Sequence, residues 1–312
     1  MIPGWVTSDP QYAVLPVVIA IMVAEIVASR FWTRVRYEAR DTFANMMLGF
    51  GSTVAGAAAG GAIFAVGIFI WDEFRLFDPG WSLWAVIAAF VLTDLAFYWD
   101  HRLGHRIRFM WASHSVHHSS QHFNLTTAFR QSWTGPVVLG WLVYLPLFLI
   151  GFHPLLIAFV KGLNLIYQFW IHTEAVGRLP RPVEWLMNTP SHHRVHHARN
   201  PRYVDANYAG VFMIWDRVFG TAVEESDAEP CRYGLVRNIA SFNPLRIAFS
   251  EWTALGRDVV GAKSWRDRAG YLFRPPGWRP NGAGLTSEDL RRRWEASAKA
   301  GETKAPHPGP AE

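Results

Sequence analysis

No charged residue stands between Asp41 and Asp72. A charge-free stretch of that length has few homes. In hydrocarbon every backbone N–H and C=O must be paired within the segment, which leaves a helix. About twenty apolar residues cross a bilayer, so residues 43–71 read as a span with room for tilt. Four more apolar stretches accompany it: 12–29, with Glu25 near its end; 82–99, with Asp94 inside; 135–150; and 154–170, with Lys161 inside. Only Gly151-Phe152-His153 parts the last two, which predicts a tight helical hairpin. The run from Gly56 to Gly61 has the small-residue spacing that lets membrane helices approach closely.

The expected fold class is therefore all-α: a multi-spanning transmembrane helix bundle with a cytosolic helical cap. Residues 1–280 form one integral membrane domain of about five spans, or four with re-entrant helices, and 281–312 a polar, partly disordered tail. Half of the 312 residues are hydrophobic and 18% charged, in keeping with that class. The net charge of +5 comes mostly from arginines that flank apolar segments, which suits anionic lipid headgroups and disfavours nucleic acid as a partner. Arg30, Arg34, Arg36 and Arg40 follow the first span, Arg102, Arg106 and Arg108 the third, and Arg178 and Arg181 the fifth. Five spans with an outward N-terminus put all three groups on the cytoplasmic side, and the arginine- and alanine-rich usage points to a bacterial inner membrane. The first segment is read as an anchor, because no small-residue cleavage site follows it. A lone cysteine, Cys231, excludes an internal disulfide and a cysteine-based zinc site. Near the end, Thr286-Ser287-Glu288-Asp289 caps a short basic helix.

Twelve of the thirteen histidines fall between His101 and His197. They form HxxxH (His101, His105), HxxHH (His114, His117, His118) and a third cluster of His192, His193, His196 and His197, with a solitary His172 where the fifth span ends. Spacings of i, i+3 and i+4 aim several imidazoles at one point, and neutral imidazole binds iron, copper, zinc or nickel. Two HxxHH sets, the HxxxH pair and His172 give nine candidate ligands, with His192 either a tenth or a neighbour. Four ligands fill a structural zinc site, so this set fits two ions with positions left open. His122, His153 and His307 stand outside the frame and read as structural or solvated.

The text around the clusters is more specific. Residues 118–132 (HSSQHFNLTTAFRQS), 164–174 (NLIYQFWIHTE), 188–197 (NTPSHHRVHH), then Asn207-Tyr208 and 214–221 (IWDRVFGT) resemble the fatty acid hydroxylase and sterol desaturase superfamily, in its alkylglycerol monooxygenase-like branch. The likeness runs over roughly residues 41–278. It implies a non-haem di-iron centre of two Fe ions, dioxygen as co-substrate, a lipid drawn from the bilayer and a hydroxylated product. It assigns ligand roles to His101, His105, His114, His117, His118, His193, His196 and His197, with His172 as the isolated extra histidine. No flavin, haem or ferredoxin signature is visible, so electrons come from an external donor, protein or reduced cofactor; eukaryotic members of the branch use a tetrahydropterin.

Metal-bound imidazole commonly donates its other N–H to a carboxylate, and Asp100, Glu174, Asp205 and Asp216 are the candidates. Asp94 and Lys161 are intramembrane charges, either functional or polar helix contacts. Trp99, Trp111, Trp133, Trp170 and Trp185 either line a substrate slot or form the interfacial aromatic belt. Two other functions stay open: a lipid or sterol desaturase on the same scaffold, and, in a different class, a membrane metal-binding or transport protein.

Overall fold

The computed structural model describes residues 2–31 and 35–300. Arg34, His307 and the tail beyond Ala300 lie outside the described residues. Within them the chain is helical, and its only β features are three isolated bridges.

Among the described residues, three helices are long and apolar enough to cross a membrane. Each opens on a cap that satisfies a free amide: α1 (Pro10–Ser29) on the Asp9 carboxylate, α2 (Ala39–Phe74) on Glu38, and α3 (Leu83–Arg106) on the Ser82 hydroxyl. Only 6% of the apolar window of α1, and of α2, is buried, against 33% for α3. The inner helix is thus α3, and it extends past residue 99 to carry His101 and His105. At 36 residues, α2 is roughly 54 Å long, well beyond a hydrocarbon core of about 30 Å. Its first turns therefore stand outside the apolar layer, with buried Asp41 and Asn45.

A short α4 (Arg108–His114) follows α3. Residues 135–150, expected as one span, are three short pieces instead. Two 3-10 turns, Gly135–Val138 and Gly140–Tyr144, meet at left-handed Leu139 (φ 62) and lead into α5 (Leu145–Ile150). The break lies at Leu139, whose left-handed backbone cannot continue a helix, while Pro136 and Pro146 each sit in the opening turn of a piece, where the missing amide donor leaves no bond unmade. A hairpin turn at Gly151 (φ 117) then leads to α6 (Pro154–Trp170), which has the expected bounds. A Cβ at Gly151 would lie 2.0 Å from the Phe77 carbonyl oxygen, so no other residue fits that turn. Ala85 and Ala89 of α3 pack with Leu147 of α5 and Leu156 and Val160 of α6 in the main core. The small-residue run of α2 joins no such contact: a Cβ added at Gly56, Gly60 or Gly61 would meet nothing within 4 Å.

The rest of the chain caps one end of this bundle: α7 (Arg181–Leu186), α8 (Pro190–His197), α9 (Ile214–Val218), α10 (Pro244–Gly261), α11 (Trp265–Phe273) and α12 (Ser287–Lys299), the last opening on a Thr286/Asp289 capping box. Two buried acids fasten cap to spans. Asp94 accepts from Asn164 Nδ2 (2.7 Å), the Val211 and Phe212 amides (2.8 and 3.0 Å) and Trp215 Nε1 (2.9 Å). Glu25 accepts from the Tyr37 and Thr173 hydroxyls and from the Leu125 amide. Asp94 is thereby a polar helix contact.

Candidate metal centre

Four separated segments bring the histidines together. The last turns of α3 carry His101 and His105, and α4 ends on His114. The 3-10 turn His117–Ser119 adds His117 and His118, His172 follows α6, and α8 supplies His193, His196 and His197. Nine of the ten expected residues fall into two groups. His101, His105, His114, His118 and His196 form one, and His117, His172, His193 and His197 the other, with ligand atoms in each within 4.8 Å of one another. The groups adjoin: the rings of His118 and His197 stack with centroids 4.4 Å apart.

His192 joins neither group. Its Nδ1 lies 3.2 Å from the Thr189 hydroxyl and its Nε2 3.6 Å from Glu184. Consecutive helical residues diverge by about 100°: His196 and His197 fall to the two adjoining groups, whereas His192 turns to Thr189 and Glu184. His122 and His153 also stay apart, and His153 caps α6 by accepting from the Leu155 amide.

Backbone carbonyls fix the tautomers. The Nδ1–H of His101 donates to Tyr208 O (2.8 Å), that of His117 to Arg130 O (3.2 Å), that of His172 to Gln168 O (2.8 Å) and that of His196 to Ala206 O (2.9 Å). With the proton on Nδ1, each Nε2 presents a lone pair. Those atoms crowd together: Nε2 to Nε2 is 3.1 Å for His101 and His114, 3.3 Å for His117 and His172, and 2.9 Å for His172 and His193. In the His117–His172 pair both protons stand on Nδ1, so two lone pairs face each other and repel unless a cation lies between them. Buried Nε2 atoms of His105 and His196 have no hydrogen-bond partner, which fits the same explanation. Burial, then the neighbouring imidazoles, hold His114, His117, His118, His193, His196 and His197 well below the ordinary histidine range. The rings are neutral, as metal binding requires. Five and four imidazoles suit two transition-metal ions and exceed the needs of one structural zinc.

Outer partners were partly legible. Asp205 faces His105, Oδ1 to Nδ1 3.4 Å. Asp216 acts one step removed: it accepts from the Tyr208 and Ala209 amides, both 2.8 Å, and so holds the carbonyl that orients His101. Glu174 instead accepts from the Tyr233 hydroxyl, and Asp100 points into a cavity. Sequence reasoning missed Arg130. This buried guanidinium pairs with Asp41 (3.0 Å) and donates to Asn45 Oδ1 (2.7 Å) and Ser119 Oγ (2.8 Å), while its own carbonyl orients His117. Its place inside the 118–132 motif was the available signal.

The cavity, of about 380 Å3, is lined by His101, His114, His117 and His193, and also by Ser52 and Ile63 of α2. It joins the histidines to a helix whose surface faces the apolar layer. Of the tryptophans, Trp141 lines it, whereas Trp111 packs on the rings of His105 and His118 and Trp185 is 56% exposed.

Residues 86–221 match the family described as fatty acid hydroxylase. The chain is similar to alkylglycerol monooxygenase of Xenopus tropicalis, 38% identical over 83% of this chain and 57% of that protein. It is 42% identical to alkylglycerol monooxygenase of Homo sapiens over 68% of this chain and 47% of that one. Lathosterol oxidase of Mus musculus is 30% identical over 51% of this chain and 52% of its own length. The chain thus spans about half the length of the curated relatives it matches. No solved structure matches it.

Proposed function

Because this chain carries a fatty acid hydroxylase domain over residues 86–221, we propose that it is a membrane-bound lipid monooxygenase. It inserts one oxygen atom of dioxygen into a C–H bond at a centre of two iron ions. The observation that carries this reading is the convergence of nine imidazoles in groups of five and four. His101, His105, His114, His118 and His196 hold one ion, and His117, His172, His193 and His197 the other. Iron held there supplies the redox chemistry with dioxygen that breaking an unactivated C–H bond demands. The protein does the rest. Carbonyls of Tyr208, Arg130, Gln168 and Ala206 keep the Nδ1 protons and leave Nε2 free, Asp205 steadies His105, and the cavity gives the reacting carbon a place beside the rings. The second oxygen atom leaves as water, which takes two electrons and two protons from an external donor.

The relatives' names supply the substrate class to try first, an alkylglycerol. Desaturation is the second reading, since both outcomes begin with loss of the same hydrogen and an oxidase of lathosterol is among the similar proteins. Metal transport is disfavoured, because the candidate ligands lie at one place and not along a path through the spans. The cytoplasmic placement of the histidine face rests on the arginines after α1 and α3. The animal relatives named above lend no support to a bacterial inner membrane.

The test is expression followed by lipid profiling under 18O2, with metal analysis of the purified chain. A lipid product labelled with one 18O and dependent on iron is expected. A new double bond without label would favour the desaturase. Metal uptake without any oxidised lipid would refute both.

A further inference from the structure

The cavity beside the histidines is not uniformly apolar. Asp100, Tyr144 and Lys161 also line it, and the metal groups use none of them. Tyr144 is only 4% exposed, and its hydroxyl has no hydrogen-bond partner among the described residues. Lys161 leaves the middle of apolar α6, and its ammonium stands 4.3 Å from the centre of the Tyr144 ring. Asp100 lines the same cavity, and among the described residues no ion pair joins it to Lys161. The Asp100 carboxylate rests against Gly140, where a Cβ would come within 2.1 Å of Oδ1. Glycine there is what admits the acid.

A carboxylate, an ammonium and a hydroxyl with spare hydrogen-bonding capacity are costly to keep in an apolar layer, and such groups mark binding sites. Their chemistry narrows the ligand. One acid offsets one base, so the trio is neutral overall and presents donors and acceptors together. A phosphate would meet the Asp100 carboxylate, and an alkyl tail would leave all three groups unsatisfied. An uncharged group with hydroxyls suits them.

We infer that Tyr144, Lys161 and Asp100 bind the uncharged, hydroxyl-bearing end of the lipid and so decide which end of the molecule lies beside the histidines. The inference rests on the monooxygenase reading and deepens it. Oxidation then falls near the polar end of the lipid and not at its terminal methyl.

The test uses the full chain in detergent with two radiolabelled probes, 1-O-hexadecylglycerol and its dimethyl ether, whose hydroxyls are blocked. The native protein is expected to bind the free diol about tenfold more tightly, the worth of one or two hydrogen bonds. Tyr144→Phe is expected to weaken diol binding by about fivefold, with ether binding and metal content unchanged. A structural role for that hydroxyl predicts no change, since it bonds to nothing in the protein. Lys161→Met provides a second variant with a larger loss expected. Equal affinity for the two probes, unchanged diol affinity in both variants, or binding of neither probe would overturn the inference. Absence of oxidised lipid in the profiling experiment would overturn the reading beneath it.

Discussion

Helices α2 and α8 invert each other. Across its spanning length α2 is apolar and exposed, with Phe50 at 68% and Val54 at 54%, and its buried residues cluster near its start. Helix α8, Pro-Ser-His-His-Arg-Val-His-His, is polar, and all eight of its residues are buried. In water that pairing would be backwards. It makes sense on the proposed reading, in which hydrocarbon is the solvent for α2 and an ion the partner for α8: one helix turns its apolar surface to lipid, and the other buries polar atoms that a bound cation would satisfy. Stability and chemistry are therefore carried by different parts of the chain, and substitutions should separate them.

The largest effect is expected at His193, whose Nε2 stands 2.9 Å from His172 and 3.2 Å from His197. His193→Ala should cut turnover by more than about a hundredfold, beyond the usual cost of losing an outer partner, with loss of bound metal. Retained turnover would remove α8 from the site. Next comes the buried pair at the foot of α2. Asp41→Asn leaves the Arg130 guanidinium without its counter-charge and should cost about 3–5 kcal/mol, read as a lower melting temperature in detergent. If melting is unaffected, the start of α2 is solvated like the rest of it.

Acid gives a third contrast. The imidazoles of α8 and of His114, His117 and His118 are held neutral by burial and by one another. In metal-stripped protein the unfolded chain protonates them near about pH 6.5, whereas the folded chain does not. Stability is therefore full above that pH and falls as pH drops below it. A melting temperature equal at pH 7.5 and 5.5 would mean that the rings are open to water. The smallest effects lie within α2. Gly51→Ala puts a Cβ 2.2 Å from Trp133 Nε1 and should cost about 1–3 kcal/mol by overpacking. Gly56→Ala meets nothing and should stay within about 0.5 kcal/mol. Equal effects would show that α2 has no inner and outer face.

Legibility in the sequence followed the same division. Hydrophobicity located the spanning helices, and α6 began and ended where its apolar run did. It failed where backbone geometry ruled. The apolar run of α3 ends at Trp99, before Asp100, Arg102 and Arg106, but the helix runs on to Arg106, because helical hydrogen bonds continue through polar residues. Left-handed Leu139 broke 135–150 despite its apolar character. Imidazoles at i, i+3 and i+4 announced eight of the rings and the family likeness the ninth, His172, while His192 showed that a histidine in the same cluster can face away. Least visible were the partners. Arg130 and Asp41 meet across 89 residues, and the carbonyls that orient His101 and His196 belong to Tyr208 and Ala206, residue types that advertise no such role.

The most direct test counts metal ions per chain in the purified protein, its His172→Ala variant and its His192→Ala variant. Two ions in the native chain, about one after His172→Ala and two still after His192→Ala is the result expected if the five- and four-histidine groups each hold an ion. A native chain that saturates with a single ion, or a His192→Ala chain that loses one, would contradict it.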